Sequence, residues 1–121
     1  MRVELTRDYT FEAAHRLPLL PPDHPCHRMH GHSYKIGVTL AGEVDPRTGW
    51  LVDFDEITQV VAPIVQGEMD HRVLNEVPGL ENATSEVLSG WLWRRLVPAL
   101  PGLAAITVHE TCTARCTYRG Q

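Results

Sequence analysis

Five of the seven histidines in this 121-residue chain, at positions 15, 24, 27, 30 and 32, crowd one stretch near the N-terminus. His30 and His32 flank Gly31. If a strand opens there, both imidazoles project from the same side, because side chains alternate with period two. Two imidazoles on one face need a third from elsewhere to hold a metal with one coordination position left open. That donor set suits catalytic zinc, Zn2+, which keeps a place for water or substrate. His15, which ends the segment FEAAH, is the expected third ligand. An isolated H-x-H pattern more often marks surface or hydrogen-bonded histidines, and it is the crowding that favours a metal.

Three further positions carry chemistry. Cys26 lies four residues before His30. A nearby metal or imidazolium would lower its pKa and supply thiolate as a base or nucleophile; the alternative is a fourth zinc ligand closing a structural site. Asp70 and His71 sit in irregular chain, GEMDHRVLN, where a carboxylate can orient an imidazole for proton transfer. The plainer alternative is a capping aspartate beside a surface histidine. Glu110 continues the alternation of Ile106 and Val108 and should point to their apolar side, which is costly for an unpaired carboxylate. Its partner is either a ligand edge with adjacent N–H donors or an arginine such as Arg115 or Arg119. Cys112 and Cys116, spaced C-x3-C with no second pair, read as packing thiols.

The elements that must position these residues follow from periodicity. Val3 and Leu5 alternate with polar neighbours in a first strand, with FEAAH after it, and Tyr34, Ile36, Val38 and Leu40 mark a second. Between them LPLLPPDHPC is too rich in proline for helix interior or central strand, so it is a loop carrying His24, Cys26 and His27. Asp53 and Glu56 form a capping box ahead of Phe54, Ile57, Val60, Val61 and Ile64 on one helical face, with Pro63 predicting a kink or a stop near Ala62. Thr84 caps a second helix with Val87, Leu88, Trp91, Leu92 and Leu96 as its stripe, ended by Pro98 and Pro101. Ile106 and Val108 mark a third strand, and residues 113–118 a fourth. The expected class is α+β: one domain over residues 1–121, a four-stranded antiparallel sheet with two helices on one face.

Composition excludes whole classes of function. Fifteen acidic against 11 basic residues, with Lys35 the single lysine, leave no basic stripe for nucleic acid. The longest mostly apolar stretch, Val60 to Val65, is far too short to span a bilayer. Three cysteines are too few and too odd for a disulfide framework, which points to a reducing cytoplasm.

FEAAH, C-x3-HGHSY, GWLVDF, MDHRVLN, LENATSE and HETCTARCTYRG, in this order along essentially the whole chain, resemble the 6-pyruvoyl-tetrahydropterin synthase family. The resemblance is nearest to the bacterial branch that makes 6-carboxy-5,6,7,8-tetrahydropterin in queuosine (7-deazapurine) biosynthesis. It implies the tunnelling fold, His15, His30 and His32 as zinc ligands, and Cys26 as the catalytic proton acceptor. It also implies Asp70 and His71 as a relay pair, and Glu110 as the acid that anchors the 2-amino and N3–H edge of the pterin. Thr84 and Glu86 fall, with Ser85, in a segment near the pterin pocket, and Arg16 and Arg28 lie where they could meet a triphosphate. The implied reaction is a carbon–carbon lyase step on 7,8-dihydroneopterin triphosphate, in a homo-oligomer whose active sites lie between subunits. The spacer of three residues between Cys26 and His30 favours the carboxy-forming branch over the pyruvoyl-forming one, whose spacer is longer. The absence of Glu between Asp23 and His30 separates the chain from a hydroxymethyl-forming branch. The remaining alternatives are 6-pyruvoyl-tetrahydropterin synthase itself and a zinc-binding module without turnover.

Overall fold

The computed structural model describes all 121 residues. β1 is a 14-residue strand, Arg2–His15, and so absorbs FEAAH, which the sequence reading set after it. The alternation simply continues: Phe11, Ala13 and His15 are buried while Thr10 and Glu12 are exposed. The proline-rich loop follows, with one 3-10 turn at Pro25–His27, and β2 then runs from His30 to Glu43. The two long strands pair antiparallel over their whole length, from Arg2 opposite Glu43 to His15 opposite His30.

α1, Phe54–Ile64, is capped by the Asp53 carboxylate, which accepts from the Asp55 N–H at 2.9 Å. The Glu56 N–H meets the Asp53 backbone carbonyl at 3.1 Å, so the cap is an aspartate turn without the reciprocal glutamate of a capping box. α1 ends at Ile64, one residue past Pro63 and close to the stop expected near Ala62. The apolar face runs on beyond it: Ile57, Val61, Ile64, Val65 and Met69 are all buried on one side. The helix then widens into a single π-helical turn, Val65–Met69, closed by the Asp70 N–H on the Val65 carbonyl at 2.8 Å.

Next comes β3, only Arg72–Val73, and it pairs parallel to β1 at Ala13 and Ala14. The sheet therefore has five strands rather than four and is not wholly antiparallel; two residues are too few to carry a period-two signal. α2, Ser85–Leu96, opens on Thr84, whose hydroxyl accepts from the Val87 N–H at 3.0 Å. β4, Leu103–His109, and β5, Arg115–Tyr118, complete the order β3-β1-β2-β4-β5.

Tyr34, Ile36, Val38 and Leu40 of β2 and Ile106 and Val108 of β4 share one core with Ile57 and Val61 of α1 and Leu88, Leu92 and Leu96 of α2. Both helices thus cover the same sheet face. At one end of that face the apolar rows stop and a polar row replaces them: His15, His30, His32 and Glu110. No helix is long and apolar enough to cross a membrane.

Candidate active site

Register places the three histidines. His15 is the last residue of β1 and His30 the first of β2, directly opposite each other, and His32 follows on the same side. Their rings stand edge to face, with centroids 4.5 Å apart for His15–His30, 4.9 Å for His30–His32 and 5.1 Å for His15–His32. One position past the end of β4, Glu110 swings its carboxylate into the same group. Its Oε1 lies 3.1 Å from His32 Nε2 and 3.8 Å from His15 Nε2. One donor atom from each of the four residues lies within 4.8 Å of every other. Glu110 has no ion pair with Arg115 or Arg119, the plainer partners expected from sequence.

Second hydrogen bonds fix the tautomers. His15 Nδ1 contacts the Ala83 carbonyl at 2.7 Å, and His30 Nδ1 contacts the Arg28 carbonyl at 2.7 Å. A carbonyl only accepts, so both Nδ1 atoms carry the proton and both Nε2 atoms present lone pairs to the cluster. The Nε2 atoms of His15, His30 and His32 are buried without a hydrogen-bond partner. Three buried Nε2 atoms converging on one point, two of them acceptors by tautomer, are expensive unless a cation fills it. Burial holds His15 below the ordinary imidazole value, with His30 and His32 acting the same way; the Ala83 carbonyl and Glu110 oppose this. A neutral imidazole is the form that ligates metal. The three imidazoles present therefore fit zinc, with the Glu110 carboxylate beside them. Beneath them Tyr34 stacks on Phe11 at 4.9 Å, and burial, followed by the Glu110 charge, pushes its phenol up.

Cys26 is partly buried at the centre of the 3-10 turn. Its backbone N–H donates to His24 Nδ1 at 3.1 Å, and its carbonyl accepts from the Leu17 N–H at 2.8 Å. Its thiol is not among the converging ligand atoms, whose fourth member is Glu110. Arg16 is turned to this loop as well. Its Nε donates to the His27 carbonyl at 3.3 Å and its Nη2 lies 3.4 Å from His27 Nε2.

Asp70 and His71 form the expected pair, Oδ2 to Nδ1 at 3.0 Å. Glu12 fixes both: its N–H donates to Asp70 Oδ1 at 2.9 Å, and its carbonyl accepts the His71 N–H at 2.6 Å. The Glu12 N–H and then the His71 side chain hold the Asp70 carboxyl below its usual range. His71 has φ +59, the left-handed region that a non-glycine residue enters only under constraint. Its side chain is 78% exposed, lining a cleft of about 480 Å³ with Glu12, His32, Ser33 and Arg72. Glu110 opens instead onto a second cleft, of about 400 Å³, with Ser85, Glu86 and Arg115.

The segment 84–86 divides its work. The Thr84 hydroxyl is engaged in capping α2, and Glu86 lines the Glu110 cleft. Ser85 donates its Oγ–H to Glu110 Oε2 at 2.7 Å, which leaves Oε1 for the histidines. Sequence reasoning gave Ser85 no definite role, because the partner 25 positions away is set only by the packing of α2 on β4. Cys116 meets Ser89 Oγ at 3.8 Å as a packing thiol would, whereas Cys112 is exposed and packs against nothing in the core.

Comparison with known proteins matches this arrangement along the chain. The family described as 6-pyruvoyl tetrahydropterin synthase matches residues 4–121. A 6-carboxy-5,6,7,8-tetrahydropterin synthase of Synechocystis is 37% identical over 117 residues, covering 93% of this chain and 89% of that protein. A 6-pyruvoyl tetrahydrobiopterin synthase of Poecilia reticulata is 30% identical over 132 residues, covering 97% of this chain and 90% of that one. The solved structure of Caenorhabditis elegans 6-pyruvoyl tetrahydropterin synthase superposes with a TM-score of 0.89 at 29% identity, over 100% of this chain and 97% of the other. With its fold and nearly its whole length matched, the chain belongs to the 6-pyruvoyl tetrahydropterin synthase family.

Proposed function

We propose that this protein is a zinc-dependent lyase that converts 7,8-dihydroneopterin triphosphate, with water, to 6-carboxy-5,6,7,8-tetrahydropterin, acetaldehyde and triphosphate, a step of queuosine biosynthesis. The observation that carries this reading is the convergence of three unpartnered Nε2 atoms and one carboxylate at the edge of a cleft, in a chain similar to a protein named for that product. The electrons balance within the substrate, since the ring gains two as the first side-chain carbon is oxidised to a carboxyl.

His15, His30 and His32 would hold the zinc, which would supply a Lewis acid to make the protons of the substrate's side-chain hydroxyl carbons more acidic. The chain's own residues do the rest. The Glu110 carboxylate, steadied by Ser85, accepts from two adjacent N–H groups of the pterin edge and fixes its orientation. Cys26, on the loop that enters β2, takes a side-chain proton as thiolate. His71, held at Nδ1 by Asp70, presents Nε2 to return protons elsewhere on the substrate. His71 and Glu110 open onto different clefts of one chain. A homo-oligomeric enzyme, in which the pair serves a neighbour's cysteine and zinc, is the reading that membership of the family supports.

Mass analysis of the products from zinc-loaded protein and 7,8-dihydroneopterin triphosphate tests the reading. Carboxy-tetrahydropterin with acetaldehyde is the expected result. A pyruvoyl or hydroxymethyl product would move the chain to another branch, and zinc binding with no product would leave only a binding module.

A further inference from the structure

One side chain outside the ligand group and outside the proton-moving residues ties the residue after His15 to the segment that leads to Ala83. Asn75 follows Leu74 in a 3-10 turn, four residues after His71. Its Oδ1 accepts the Arg16 N–H at 2.9 Å and its Nδ2 donates to the Arg16 carbonyl at 2.8 Å. The amide therefore pairs with Arg16 as a neighbouring strand would, one residue beyond the end of β1. The second Nδ2 hydrogen goes to the Glu81 carbonyl at 3.0 Å. All three principal hydrogen-bonding groups of the amide are engaged with backbone, and no other residue type of this size offers two donors and an acceptor in one plane.

Each contact leads to the site within two residues. Arg16 succeeds His15, whose Nδ1 proton goes to the Ala83 carbonyl, two residues beyond Glu81. The amide thus brackets the bond that sets the His15 tautomer. Arg16 also holds the His27 carbonyl through its guanidinium, and the next residue, Leu17, donates to the Cys26 carbonyl at 2.8 Å. Fixing the Arg16 backbone therefore fixes the root of the Cys26 loop. Beyond Ala83 come Thr84 and Ser85, the latter on Glu110.

We infer that Asn75 is the positioning residue of this site, its amide holding the His15 ligand, the Cys26 loop and the segment carrying Ser85 in one register. Its effect on turnover rests on the function proposed above; its effects on metal affinity and on the thiol do not.

Asn75→Asp keeps size and one acceptor but turns a carboxylate oxygen toward the carbonyls of Arg16 and Glu81, and Asn75→Ala removes all three bonds. Both variants should bind Zn2+ about 10–100-fold more weakly in competition with a chromophoric chelator, as loss of an outer supporting bond does at other metal sites. Both should also raise the rate of iodoacetamide alkylation at Cys26 relative to Cys112 in the same sample. Ile57→Val, a core change in α1 away from the site, serves as the control for lost stability and should alter neither readout. Wild-type zinc affinity and wild-type Cys26 alkylation in the Asn75 variants overturns the inference, and so does an equal change in Ile57→Val. If neither Asn75 variant folds, hydrogen exchange in the wild-type chain decides. Zn2+ should slow exchange at the Arg16 and Leu17 amides through the shared register, and unchanged rates contradict the assignment. A wild-type chain that binds Zn2+ yet forms no pterin product refutes the proposed reaction alone, because neither readout is turnover.

Discussion

Glu110 faces two demands with two oxygens. Oε2 is held by Ser85, while Oε1 sits against the imidazoles of His32 and His15. A substrate that offers adjacent N–H donors would find this carboxylate already desolvated and aimed. Removing its charge should therefore fall on substrate binding: Glu110→Gln is expected to raise KM by roughly 10–100-fold, the worth of a charge-assisted hydrogen bond. Steady-state kinetics with 7,8-dihydroneopterin triphosphate checks this, and a KM unchanged from wild type would remove Glu110 from substrate binding. The residue types were largely legible in the sequence. H-x-H on a strand must share a face, and Glu110 must share one with Val108, because period two leaves no other choice. Partner identity was not legible. Nothing in the spacing says that Glu110 meets histidines rather than Arg115, since that depends on where β4 ends relative to β2. Asn75 was hidden for a similar reason, as its three partners are backbone groups, which leave no mark in sequence.

At the scale of elements, the capped ends were the easiest to read. Asp53 and Thr84 start helices where their side chains can take orphan N–H groups, and Pro98 closes the second. Pro63 marked the end of α1 to within two residues, but nothing in the pattern announced the π turn that continues the buried face. The π turn that follows α1 is tied to α2 by a bidentate ion pair, Arg95 Nη1 and Nη2 donating to the Glu68 carboxylate at 2.8 and 2.7 Å. The Arg95 hydrogen bonds, then its charge, hold Glu68 below the ordinary value near 4.5. A depressed carboxylate contributes stability that is present above its unfolded value and is lost as pH falls through the folded one. Both side chains are 40% exposed, so the contribution is small, under about 1 kcal/mol. Glu68→Gln should melt slightly below wild type at pH 7, and the gap should narrow as pH drops below about 4.5. Thermal melts across that range check the sign; a gap that widens on acidification would contradict it. The same π turn delivers Asp70 to the Glu12 N–H and leaves His71 at φ +59, a conformation no pattern in MDHRVLN announced.

For the molecule as a whole, a long two-stranded antiparallel ribbon is the frame, and the chemistry collects at the end where β1 stops and β2 begins. Three parts reach that end of the molecule by different routes without converging on one point: histidines by strand register, the cysteine by a proline-rich loop, and the Asp70–His71 pair by the turn after α1, which sets it against Glu12. The α+β class and the shared face of both helices followed from the order of patterns. The fifth strand did not, because a two-residue parallel bridge exists only through its contact with Ala13 and Ala14. In the function proposed above, the metal would be held by one set of residues and protons moved by another. The measurement that tests this division most directly is zinc content and turnover on a single preparation of Cys26→Ala. The account predicts one zinc per chain retained and turnover reduced by about 10²–10⁴, the usual contribution of a positioned base. Loss of zinc together with activity, or full activity without the thiol, would contradict it.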